Sequence, residues 1–178
     1  MKQLIFFIPL LFGLWQCEST KTSVRPKQFS YKQRIVNDGK VFNSTLEVLP
    51  GKAVEWKKDG TGKWYPHIID GKGTVVKIQK DMNLEKPLPD SGVAYMLYFE
   101  LPEKIVSHTY KDAELKKIKA FTGFMAFHPE SGYRPATKGS IRVKVNRKKQ
   151  SVILDVQLKG KDAEKLNGSY TIGFETGN

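Results

Sequence analysis

Cysteine is almost missing from this 178-residue chain, which carries one, Cys17. A single thiol excludes an intrachain disulfide framework, Cys-rich zinc sites and thioredoxin-type chemistry. Histidine is scarce as well. His67, His108 and His128 stand in no H-x-H or H-E-x-x-H spacing, so no local metal-ligand set is visible and no metal or other cofactor is expected. No G-x-S-x-G elbow and no Walker or Rossmann glycine pattern occurs, and the chain is therefore read as a non-enzyme. Arginine is short against lysine, only five of 30 basic residues. Lysine is a hydrated point charge and arginine a planar fork, so a lysine-dominated formal charge of +12 reads as solubility and general attraction to anionic surfaces. Long hydrophobic runs are lacking too. The longest, residues 4–15, spans roughly 18 Å as a helix, well short of the ~30 Å core of a bilayer.

What is present begins at the N-terminus. Lys2 followed by that short apolar run has the form of a secretory signal, assigned to residues 1–16. Directly after it, Leu14-Trp15-Gln16-Cys17 resembles the lipobox of bacterial lipoproteins, in a lenient form more similar to spirochaete or Bacteroidetes lipoproteins than to enteric ones. The resemblance implies cleavage before Cys17, lipid on its thiol and a place in the bacterial cell envelope, the outer membrane or cell surface ahead of the inner membrane. Ordinary secretion with cleavage after Ser19 is the alternative. Removing residues 1–16 leaves 29 basic against 18 acidic residues, a formal charge of +11. Nucleic acid is an unsuitable partner for an exported protein, so the expected partners are the membrane that holds the anchor and anionic envelope or host surfaces. Residues 17–27 are polar and aperiodic and read as a flexible tether, with residues 28–178 as one β-domain.

Within that domain the patterning is that of strands and turns. Segments 29–36 and 41–48 flank Asn37-Asp38-Gly39-Lys40, a hairpin signal. Pro50-Gly51 reads as the next turn, and Asp59-Gly60-Thr61-Gly62 and Asp70-Gly71-Lys72-Gly73 as turns bracketing a short aromatic strand, 64–69. Neither glycine-rich segment offers enough acids for calcium. Residues 92–101 are apolar on both faces, which predicts a central strand, with 104–110 as its hairpin partner. One short helix is expected over 112–119 with Asp112 as its N-cap. Phe121, Gly123, Met125 and Phe127 alternate onto one face. The C-terminal third reads as a meander in which Ile141, Val143 and Val145, then Val152, Leu154, Val156 and Leu158, then Tyr170, Ile172 and Phe174 face inward. These features predict an all-β fold: an antiparallel β-sandwich or barrel of about ten short strands with at most one short helix. The C-terminal pattern is also similar to the closing hairpins of small β-domains of unknown function in bacterial lipoproteins.

Two groups of residues are candidates for contact. Gly62-Lys63-Trp64-Tyr65 resembles the G-x-W-Y motif of the lipocalins, which implies a barrel cupping an apolar ligand; Trp64 and Tyr65, with Trp56 and His67, are also candidates for an exposed aromatic platform that contacts sugars or peptides. The competing reading is a hairpin edge whose Trp64 caps the core. The basic turn Arg147-Lys148-Lys149, together with Lys159, Lys161 and Lys165, is the candidate anion-binding group, on the expectation that the meander brings the two stretches together. The function expected is that of a lipid-anchored, non-catalytic binding or structural protein. The alternatives are a lipocalin-like carrier and a hydrolase whose site assembles only in the fold.

Overall fold

Hydrophobic alternation resolves into two antiparallel sheets packed face to face. The structure, a computed structural model, describes residues 25–26, 28–37, 40–83 and 92–175. Cys17 and the hairpin residues Asp38 and Gly39 lie outside them. The larger sheet has the order β2 (Phe29–Asn37), β3 (Lys40–Lys58), β4 (Trp64–Asn83), β5 (Val93–Leu101), β7 (Phe121–Met125) and β8 (Gly132–Pro135). The smaller has β1 (Arg25–Pro26), β11 (Gly168–Glu175), β10 (Ser151–Leu158), β9 (Gly139–Asn146) and β6 (His108–Lys111). Between them Val48, Ile78, Leu97 and Phe99 of the larger sheet meet Ile141, Leu154, Leu158 and Ile172 of the smaller, all fully buried. Burying such side chains contributes roughly 1.5–3 kcal/mol each, which makes this layer the main source of stability.

The C-terminal meander follows its expected register, with Ser151 opposite both Asn146 and Gly173. The central strand is also as patterned. Tyr95, Leu97, Phe99 and Leu101 face the smaller sheet, while Met96 and Tyr98 pack into a second cluster on the opposite face.

That second cluster comes from a feature the sequence disguises. Pro50-Gly51 and Asp70-Gly71-Lys72-Gly73 are not turns but the facing halves of a bend in one long hairpin, β3 and β4, whose pairing slips between Pro50 and Lys52. Close approach at the bend calls for glycine: a Cβ on Gly71 would lie 2.7 Å from that of Ala53, and one on Gly73 2.8 Å from the Leu101 carbonyl oxygen. The slip also reverses the parity of the strand. Leu46 and Val48 face the inter-sheet core before it, whereas Val54 and Trp56 face the second cluster after it. The outer half of the hairpin folds back until Trp64 pairs with Tyr133, closing β4, β5, β7 and β8 into a ring. Its interior holds Val54, Trp56, Tyr98, Phe121 and Tyr133, with Trp56 stacked on Phe121 at 3.8 Å between centroids. The sandwich thus carries a small barrel on one side. The edge of β3 beyond the bend is covered by side chains: the Glu100 carboxylate accepts from Val54 N–H (3.1 Å) and from Lys119 Nζ (2.9 Å), and Lys119 Nζ donates to the Val54 carbonyl (3.2 Å).

Four further expectations are corrected. The partner of β5 is β7 and not 104–110, because Pro102 ends β5 and Ile105 drops into the core as the chain crosses to the other sheet. In place of one helix there are two 3-10 turns, Asp112–Lys116 and Ala163–Leu166, which bury Leu115 in the one and Ala163 and Leu166 in the other; Asp112 has φ 47° and its carboxylate accepts from Gly139 N–H instead of capping a helix. Phe127 lies beyond β7 and is 91% exposed. Arg25 and Pro26, placed at the end of the tether, pair as β1 with Glu175 and Phe174.

Candidate functional site

The six candidate anion-binding residues form two groups and not one. In an antiparallel meander, consecutive connections lie at opposite ends of the strand they share. Arg147, Lys148 and Lys149 join β9 to β10, and Lys159, Lys161 and Lys165 join β10 to β11. The eight residues of β10 separate the two groups by about 26 Å. The expectation that the meander gathers them is therefore wrong, for a geometric reason independent of the side chains.

The Lys159 end has a cleft, and two further cations belong to it. The cleft, about 320 Å³, lies where β8 and the 136–138 connection of one sheet meet the 159–163 stretch of the other. Arg134, Lys138, Lys159 and Lys161 line it, with Glu130 and Asp162 as the only acids among the lining residues. Phe124, Pro135, Ala136 and Leu158 supply apolar wall. Arg134 spans the opening, donating from Nη2 to the Glu130 carbonyl at 2.9 Å and standing 3.9 Å from the Asp162 carboxylate. Lys138, Lys159 and Lys161 are exposed and make no ion pair among the described residues. Lys165, in the second 3-10 turn, is exposed but does not line the cleft.

The loop that carries Lys159 and Lys161 is pinned throughout. Lys159 N–H donates to the Lys138 carbonyl at 3.1 Å, joining the two walls. Asn167 closes the loop on Leu158 twice, its Oδ1 accepting from the backbone N–H (2.7 Å) and its Nδ2 donating to the carbonyl (3.0 Å). Glu164 Oε1 accepts from Gly160 N–H at 3.2 Å, and Tyr170 OH donates to the Leu166 carbonyl at 2.7 Å. From beneath, Lys80 Nζ donates to the Asn167 carbonyl at 3.0 Å. Lys80 is 8% exposed, and burial lowers its pKa from the ordinary lysine value. A cation placed under the loop in this way serves a structural purpose and raises the local positive potential.

At the other end, Arg147, Lys148 and Lys149 sit on a tight turn with Gln150 at φ 46°. Gln150 N–H donates to the Arg147 carbonyl at 3.2 Å, and Lys149 N–H to the Asn146 side chain at 3.1 Å. All three cations are exposed at this hairpin tip.

Trp64 and Tyr65 begin β4 and point to opposite faces. Trp64 packs edge-on to Phe121 at 5.8 Å with Lys58 Nζ 4.9 Å above its ring, so it caps the second cluster, while Tyr65 is 41% exposed on the other side. The ring that a lipocalin-like reading would leave hollow is occupied by aromatic side chains. The histidines have separate local partners: His67 with Glu55 and His108 with Glu114, both at 3.6 Å, and His128 accepting from Glu130 N–H at 3.1 Å. Among the described residues no group of three His, Cys, Asp or Glu is placed to hold a metal ion, and no helix is long and apolar enough to cross a membrane.

Sequence reasoning missed Arg134 and Lys138, because they come from a different sheet and lie over twenty residues before Lys159. No known protein family, curated protein or solved structure matches the chain.

Proposed function

We propose that the protein is a lipid-anchored envelope protein that binds a small polyanionic solute in the cleft lined by Arg134, Lys138, Lys159 and Lys161, without transforming it. The observation that carries this reading is the cleft itself: four cations against two acids, of which Asp162 is already engaged by Arg134. Its size falls at the small end of ligand pockets, suited to a compact molecule such as a sugar phosphate. The pinned loop favours binding, since little ordering remains to be done when the ligand arrives. The lining residues include no His, Cys or Ser, and the side chains that dominate it offer charge and shape for binding. The anchor rests on the lipobox-like sequence ending at Cys17.

Calorimetric titration with glucose 6-phosphate, with glucose as the uncharged control, tests the reading. The phosphate ester binds and glucose does not. Reversing Lys159 and Lys161 to Glu weakens binding at least about tenfold, whereas reversing Lys148 and Lys149 changes it less than about twofold. Equal losses from the two pairs, or no binding by the phosphate ester, contradict the assignment.

A further inference from the structure

The structure places the point where the chain enters the domain beside the basic turn. Arg25 pairs with Glu175 and Pro26 with Phe174, at the C-terminal end of β11. Phe174 N–H in turn donates to the Gln150 carbonyl at 2.9 Å, within the turn that follows Arg147, Lys148 and Lys149. Seven residues separate Cys17 from Arg25, and the eight steps from one to the other reach at most about 29 Å. The cleft lies a further strand length away, past the opposite end of β10.

We infer that Arg147, Lys148 and Lys149 form a docking surface for the anionic headgroups of the bilayer that holds the anchor, so that the domain stands with this end down and the cleft turned outward. The inference rests on the proposed anchor at Cys17. Its partner is fixed by two observations: the chain arrives at this end, and the charge exposed there is positive. Lys148 and Lys149 are exposed and make no ion pair among the described residues. A flat, mobile array of headgroups suits a convex turn of this kind. Each cation held near an anionic surface strengthens attachment by roughly fivefold, and the force is screened beyond about 8 Å at physiological ionic strength. A tether of this length lets the turn come within that range, and the charge attraction holds it there. The two basic ends therefore have different partners, one a surface and the other a solute.

The test uses the full lipidated protein. Once Cys17 carries lipid, an introduced cysteine is the only free thiol, so Gln150→Cys and Lys165→Cys each take a single fluorescent label, one at either end. Vesicles of phosphatidylcholine, or of phosphatidylcholine with phosphatidylglycerol, carry an energy acceptor on their headgroups. On the phosphatidylglycerol vesicles, transfer from the label at 150 exceeds that at 165 by about twofold or more. The excess falls toward equality at high salt, or when Lys148 and Lys149 are changed to Glu. Anchored protein with equal transfer from both ends, or with an excess that ignores salt and charge reversal, overturns the orientation. Detergent phase partitioning tests the anchor separately: a wild type that partitions like Cys17→Ala removes the anchor and the orientation with it.

Discussion

The two ends of the C-terminal sheet carry the same number of basic residues, three in each connection, and almost nothing else in common. At the 147–150 end the cations crown a four-residue turn held by one sheet alone. At the 159–167 end they sit on a loop tied to Lys138 in the 136–138 connection, to Asn167 across the loop and to Lys80 on the opposite sheet. The number of cations does not distinguish them. The difference is made by a second wall: Arg134 and Lys138 face the loop across a gap, and an anion placed there is surrounded instead of merely touched. A count of lysines measures attraction, and a site needs groups from at least two elements held at fixed separation.

The comparison is broken most severely from within the cleft end. Gly139 has φ 111°, and a Cβ there would lie 2.3 Å from the Gln157 carbonyl oxygen and 2.6 Å from the Leu158 Cα. These are backbone atoms, so no rotamer relieves the clash. Gly139→Ala destabilises the protein by about 3 kcal/mol and abolishes anion binding, as urea unfolding followed by titration would show. At the other end the demand is the reverse. Gln150 is an L-residue at φ 46°, and Gln150→Gly alters stability by no more than about 0.5 kcal/mol, the left-handed strain relieved being offset by the freedom glycine regains on unfolding.

A smaller effect sharpens the same contrast through pH. Burial lowers the pKa of Lys80 in the folded protein below its ordinary value of 10.5. Between the lowered value and 10.5 the unfolded chain therefore binds more protons than the folded one, and stability rises with pH across that window. Lys80→Met flattens this rise on the alkaline side, below pH 10.5. Denaturant titrations of both proteins at several pH values would measure the slopes.

How much of this was legible beforehand depends on whether a feature is local. The meander was readable because one face is buried and the other wet, so the apolar residues alternate within each of its three strands. The strand around Leu97 was readable as central because both its faces are apolar. The bend was not readable, since glycine signals a turn and a close approach alike. Gly71 and Gly73 serve close approach, and only the slip between the Pro50–Thr74 and Lys52–Asp70 pairs on either side of them shows it. The partner of β5 was misjudged because nearness in sequence favoured 104–110, whereas Phe121–Met125 reaches it after the chain has visited the other sheet. Each basic residue is visible in the sequence by itself, but which of them share an end depends on the strand topology. The alternation that predicted the strands already implied that successive loops point in opposite directions. The cleft was beyond local reading, because Arg134 and Lys138 enter it from the far side.

The most direct measurement is a backbone amide titration by two-dimensional nuclear magnetic resonance, with glucose 6-phosphate added to the 15N-labelled protein. The account predicts that the largest saturable shifts fall at Arg134, Lys138, Lys159, Gly160 and Lys161, with those at Arg147, Lys148 and Lys149 small and without saturation. Shifts of equal size at both ends, or larger ones at 147–149, would show that the anion reads charge alone and that the cleft is not a site.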